Sequence, residues 1–232
     1  MRTPNYLLLI VAFVAMISCD SRKSSGEYVL TDKEKLIFDS LQLDTAILKD
    51  IRANFSGEIE PFHYSLAKII EGDKEIEAEP KYRKGLVLQE NNAKSYSLVF
   101  ALKKNLLKKG YSVFLLENNF SIGDKNDYVA ILKTTDKYDV LKQVGTDGIN
   151  YNITNDSLIA IIKGLDKKYE LELIGASGEW CEFIIHKEPE NWIDFGNEIY
   201  KICPDIVDQG AGSVEVLAEE MKKTKRLYFW WD

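Results

Sequence analysis

The 232-residue sequence sets 30 Lys and Arg against 37 Asp and Glu, for a formal charge of −7, with 45% apolar and 11% aromatic residues. That apolar content suffices for a packed core and excludes a disordered chain. The acidic balance argues against a nucleic-acid partner, whose phosphates require a basic surface, and against docking of the body itself on anionic lipid. At this length one domain, preceded by a small helical piece, is the expectation.

The chain opens on Arg2 and an apolar run over residues 6–17, closed by Met16-Ile17-Ser18-Cys19. Twelve residues rise about 18 Å as a helix, short of a hydrocarbon core of about 30 Å. A charged residue, a short apolar run and small residues at a cut site are the layout of a secretory signal. With a cysteine after the cut, the segment resembles the bacterial lipoprotein signal, although Met16 stands where leucine is usual. The resemblance implies that residues 1–18 are removed and that Cys19 carries acyl chains such as palmitate. Residues 19–30 then become a polar tether, and the protein sits in the bacterial cell envelope, at the periplasmic face or cell surface. An ordinary secretory signal or an uncleaved anchor helix is the plainer reading. Losing residues 1–18 removes one cation and takes the charge from −7 to −8.

Thr31 and Glu34 have capping-box spacing ahead of Leu36, Ile37 and Leu41. Asp44 is a second N-cap candidate, with Leu43 and Leu48 placed as a staple and Ile51 and Phe55 on the same face. Residues 62–70 read as helical, and the Glu/Lys-rich run to Arg83 reads as a loop. Residues 31–83 are therefore expected to be an N-terminal helical segment, and 84–232 an α+β domain. Within the latter, Leu86-Val87-Leu88 is a short strand and 93–109 a helix stopped by Gly110. Residues 111–117 and 128–134 are strands, separated by a Gly123-Asp124 turn.

Residues 136–144 and 155–165 read as helices. Residues 169–175 and 180–186 form a hairpin that points Cys181, Phe183 and Ile185 to one face and Trp180, Glu182, Ile184 and His186 to the other. Pro189 suits the first turn of a helix whose buried stripe is Trp192, Phe195, Ile199 and Ile202, and Pro204 ends it. Ser213 caps a last helix, and 225–231 is a final strand. The fold class expected is α+β: an antiparallel or mixed sheet with helices mainly on one face.

Cys203-Pro204-Asp205-Ile206-Val207-Asp208-Gln209-Gly210, Ser213-Val214-Glu215 and the terminal Leu227-Tyr228-Phe229-Trp230-Trp231-Asp232 together resemble the bacterial domain of unknown function numbered 4253. The likeness extends over roughly the last 150 residues, from the Gly85 strand onward, in keeping with ordinary domain sizes. It implies kinship of fold and assigns no catalytic residue. In the final strand Leu227, Phe229 and Trp231 face one way and Tyr228, Trp230 and Asp232 the other, which suggests a central strand or one covered on both sides.

Asp205, Asp208 and Gln209 fall in a Pro/Gly-containing loop between helices, where such side chains ordinarily bind turn backbone. The sharper alternative gathers them with Trp230 and Asp232 into a ligand- or partner-binding surface. Their spacing lacks the calcium-loop pattern, so no metal site is assigned. Cys181 and Cys203 suit either a disulfide or two buried thiols. Cys203 with His186 is an open nucleophile–base pairing, whereas Cys181 and His186 face opposite sides of one strand. His63 and His186 belong to no metal motif, there is no phosphate loop or nucleophile elbow, and no cofactor is implied.

The leading expectation is a non-enzymatic binding or accessory module, attached to a membrane through Cys19, that meets another protein or a small molecule at the 205–213 loop and nearby aromatics. The alternatives are a hydrolase using Cys203 and His186, or carboxylates from Asp205, Asp208 and Glu182, and an immunity-type protein whose acidity steers it to a basic toxin.

Overall fold

The computed structural model describes residues 28–64, 69–71, 74–76, 81–119 and 125–231. The signal-like run, Cys19, most of the tether, the Gly123-Asp124 turn and Asp232 lie outside the described residues.

Helix α1 (Asp32–Leu41) begins on the expected capping box: the Thr31 hydroxyl accepts from Glu34 N–H, and Glu34 accepts in return from Thr31 N–H at 2.8 Å. Glu34 also takes the Arg52 guanidinium at 2.7 and 2.9 Å and the Tyr28 hydroxyl. Burial alone would raise its pKa, but the Thr31 amide, Arg52, Tyr28 and the Thr31 hydroxyl together hold it at about 2. Arg52 belongs to α2 (Ala46–Asn54), so one carboxylate ties the two helices together. Asp44 accepts from Ala46 N–H at 2.8 Å, and both staple leucines, Leu43 and Leu48, are buried.

The chain then departs from the helical expectation. Residues Ile59–Tyr64 form strand β1, Ile69–Glu71 and Lys74–Ile76 pair as β2 and β3, and β4 runs Lys81–Glu90. Ile59 and Phe62 are buried, in the opposite core clusters, so β1 contributes to both faces of the sheet. Pro61, lacking an N–H, sits beside a register shift in what is an edge strand, where a missing donor is tolerated. Within the Glu/Lys-rich run expected as a loop, Lys74–Ile76 is β3 and β4 begins at Lys81; residues 72–73 and 77–80 lie outside the described residues.

Next come α3 (Asn92–Lys108), β5 (Ser112–Glu117), β6 (Asp127–Leu132), α4 (Lys137–Val144), α5 (Asn155–Tyr169), β7 (Leu171–Ala176), β8 (Trp180–Ile185), α6 (Trp192–Ile202), α7 (Val214–Thr224) and β9 (Arg226–Trp230). Asn91, Asp136, Asn191 and Ser213 each supply a side-chain N-cap. Helix α6 thus starts at Trp192, three residues past Pro189, because the Asn191 side chain takes the N–H groups of Ile193 and Asp194.

The fold is α+β, with seven strands in the order β1-β4-β6-β5-β7-β8-β9. All neighbours are antiparallel except β5 and β7, making the sheet mixed. Helices cover both faces rather than mainly one. Cys181, Phe183, Leu227 and Phe229 pack under α4–α7, while Leu86, Leu88, Val113, Val129 and Ile131 pack under α1–α3. Strands apolar on both sides require a layer on each.

The parallel β5–β7 pair is joined at Leu115 and Gly175, and the strands part toward their N-terminal ends. There Lys103, from α3, donates to Leu173 O, and Lys137, from α4, donates to Leu171 O, so two ammonium groups satisfy β7 carbonyls across the gap. Glu172 and Asp166 neutralise them at 2.9 and 2.7 Å.

Candidate functional site

Glu182 is a carboxylate in the middle of β8 with only 4% of its surface exposed. The alternation of β8 turns Cys181 and Phe183 into the α4–α7 core and leaves Trp180 and Glu182 on the α3 side. Glu182 stands opposite Gly175 on β7 and Tyr228 on β9, and Trp180 stands opposite Trp230. A Cβ on Gly175 would meet the Trp180 ring at 2.4 Å, so the missing side chain is what lets that indole lie across β7. Trp180 stacks on Tyr228 with centroids 5.7 Å apart.

Both Glu182 oxygens are engaged. The Tyr96 hydroxyl, from α3, donates to Oε2 at 2.5 Å, and the Arg226 guanidinium donates to Oε1 at 3.1 Å. Arg226 also lies 4.4 Å over the Tyr96 ring, within cation–π range. Burial pushes the Glu182 carboxyl up against the lowering effect of Tyr96 and Arg226, and burial together with that carboxylate raises the Tyr96 phenol. Around this triad opens a cleft of about 540 Å³, walled by Tyr228 and Trp230 on β9 and by Leu217, Glu220, Met221 and Lys223 on α7, and closed by Ile206, Gly210 and Ala211. A hollow of that size with aromatic walls and a few convergent polar groups is the usual form of a small-ligand site.

The C-terminal residues singled out in the sequence separate. Residues Ile206–Ala211 form a π-helical turn instead of a loop. Asp205 is buried and accepts from the Tyr151 hydroxyl, whereas Asp208 is exposed and accepts from Tyr200 at 3.1 Å. Gln209 is exposed on the same turn. Of the expected surface only Trp230 lines the cleft, alongside the apolar side of the turn; Asp232 lies outside the described residues. The adjacent Trp231 points the other way into the core, stacking on Phe229 at 5.6 Å and against Gly148. Strand β9 is an edge strand, not a central one, which is why its Tyr228–Trp230 face stays half open.

The cysteine–histidine pairing does not form. The Cys203 thiol donates to Trp230 O at 2.9 Å and accepts from Trp230 N–H at 3.4 Å, and Trp230 pairs with Trp180 at the start of β8. His186 follows the far end of that strand, about 20 Å away at strand rise, on the opposite face, held to Glu172 at 2.6 Å. Cys181 and Cys203 are both free and buried. Burial raises both thiols, Cys203 to about 11, so neither is a thiolate near neutral pH. Among the described residues, no group of three or more His, Cys, Asp or Glu side chains is placed to hold a metal ion, and no helix is long and apolar enough to cross a membrane.

The model of the domain of unknown function DUF4253 matches residues 128–232. Those residues are a DUF4253 domain. The match begins within β6 rather than at Gly85, and it contains β7, β8, β9 and α4–α7. Strand β5 falls outside it, although β5 is the strand between β6 and β7. The DUF4253 segment therefore shares one sheet with the residues before it, and the cleft shows this directly: Glu182, Arg226, Tyr228 and Trp230 come from DUF4253 and Tyr96 from α3. No curated protein and no solved structure matches the chain significantly.

Sequence reasoning passed over Tyr96 and Arg226 as site residues and kept Glu182 only for a carboxylate cluster. The available signal was Glu182 itself, one acidic residue within Trp-Cys-Glu-Phe-Ile-Ile. A carboxylate is rarely placed in a strand that is apolar on both faces without a partner.

Proposed function

We propose that this chain is a non-enzymatic binding module that takes a small organic molecule in the cleft bounded by Tyr96 of α3, Glu182 of β8, β9 and α7, and that Cys19 attaches it by lipid to the bacterial cell envelope. One observation carries the binding reading: a carboxylate almost wholly withdrawn from water stands at the floor of an aromatic-walled cleft. Desolvating such a group is costly, and that cost is ordinarily met at functional positions. The Tyr228 and Trp230 rings offer flat apolar area with little conformational entropy to lose, which suits a planar or ring-shaped ligand. With Glu182 fixed by Tyr96 and Arg226, the site is pre-organised for binding.

The test is saturation-transfer NMR of the protein with a panel of neutral monosaccharides, heteroaromatic fragments and ring-bearing ammonium and guanidinium ions. Ring-shaped members are expected to bind the wild type, to lose binding in Tyr228→Ala, and to keep it in His186→Ala, which lies at the other end of β8. Binding that is absent, or indifferent to Tyr228, overturns the assignment. The anchor is tested separately by metabolic palmitate labelling, expected to disappear in Cys19→Ala; persistent labelling removes it.

A further inference from the structure

We infer that the cleft selects an organic cation, a guanidinium or alkylammonium group, and that Arg226 is the internal stand-in for that ligand. This rests on the cleft being a ligand site and adds what it recognises. The site divides into a fixed half and a replaceable half. Glu182 has 5% of its side chain exposed, and its Oε2 is held by Tyr96 independently of any cation. Arg226 has 34% of its side chain exposed and begins an edge strand, directly after the left-handed cap at Lys225.

The Arg226 guanidinium fills the position a cationic ligand would take. It is 4.4 Å over the Tyr96 ring and 3.1 Å from Glu182 Oε1, beside the open walls of Tyr228 and Trp230. Aromatic faces with a carboxylate are the arrangement that binds guanidinium and substituted ammonium groups. Because the carboxylate is buried, the arginine is exchanged for another cation and not simply released. The net charge of −7 favours the approach of such a ligand. The Lys103–Glu172 pair makes the contrast. There the cation is the buried partner, at 16% against 36% exposure, and it is tied to a β7 carbonyl, as a structural prop should be.

The experiment uses the full chain, its Arg226→Ala variant, and methylguanidinium chloride and the tripeptide Gly-Arg-Gly as probes, with sodium chloride as the ionic-strength control. Tryptophan fluorescence and Tm are read. Arg226→Ala is expected to bind methylguanidinium at least about tenfold more tightly than wild type and to gain Tm on its addition, and Glu182→Gln in that background is expected to abolish both. If Arg226→Ala does not fold, Arg226→Lys serves. Its ammonium keeps the charge but loses the planar stacking, so the guanidinium probe should again outbind wild type. Tighter binding of the tripeptide than of methylguanidinium assigns the cation to a basic peptide, and the reverse assigns it to a free small molecule; either supports the inference. Equal affinity for wild type and Arg226→Ala, or binding unaffected by Glu182→Gln, overturns it. Neutral ligands that bind where cations do not sink the cation inference alone, whereas no binding of any kind sinks the cleft as well.

Discussion

Replacing Arg226 by methionine is expected to destabilise the protein by about 3 kcal/mol near neutral pH, because it keeps the side-chain bulk and removes the guanidinium that donates to Glu182 Oε1. The figure is set at the low end for a broken buried pair because the arginine is one-third exposed and water already screens part of the interaction. The deficit should depend on pH with a definite sign. The Glu182 carboxyl already titrates above its ordinary 4.5 in the folded state, chiefly through burial, and losing Arg226 removes a lowering influence. Folding then favours the protonated form, whose stability is fully present below the unfolded pKa and lost as pH rises through the folded one. Urea denaturation at several pH values should therefore find the variant close to wild type near pH 4.5 and increasingly weaker above it. A deficit that does not change with pH would mean that Glu182 is not the group left uncompensated.

Gly85→Ala is the second large effect. Gly85 lies in β4 opposite Leu132 of β6, and a Cβ there would come within 2.4 Å of Ile131 O and 2.6 Å of Leu132 Cδ2. The leucine can rotate, but the carbonyl belongs to the strand and moves only with it. Overpacking of this kind costs about 3 kcal/mol or more when backbone has to give way, or roughly 6–12 °C in Tm for a chain of this size. Thermal melting followed by circular dichroism measures it. A shift within a degree or two would show that β4 and β6 tolerate a side chain at their crossing.

These two residues bear on function in different ways. Gly85 keeps β4 against β6, and β6 sits beside β5, whose neighbour β7 carries Gly175, the position that accommodates Trp180. Arg226 acts at the site itself. The DUF4253 match spans the cleft's β8 and β9 residues yet omits Tyr96, the group that orients Glu182 Oε2. Ligand studies on this chain therefore need α3 as well as the matched segment.

Much of the architecture was legible from local pattern. The capping box at Thr31 and the cap at Ser213 act through side chains three residues from the amides they satisfy, so spacing suffices to read them. The alternation of β8 and β9 assigned Cys181, Phe183, Leu227, Phe229 and Trp231 to one face, as the core contains them. Residues 62–64, 69–71 and 74–76 read as helix or loop because short strands with charged and aromatic residues carry no clear period of either kind. The turn at 206–211 read as a loop because its Gly and Asp content is shared by both structures.

By itself, then, the sequence determined which residues cap, alternate and turn, because those forces act over a few neighbours along the chain. It also carried enough to recognise the DUF4253 ending. Only the tertiary structure decided that β9 is an edge, that Cys203 and His186 stand at opposite ends of one strand, and that Tyr96, Glu182 and Arg226 meet, although 86 residues separate the first two and 44 the last two. Strand order and helix placement come from burying two apolar faces at once, and that is a property of the whole chain, which no local pattern contains.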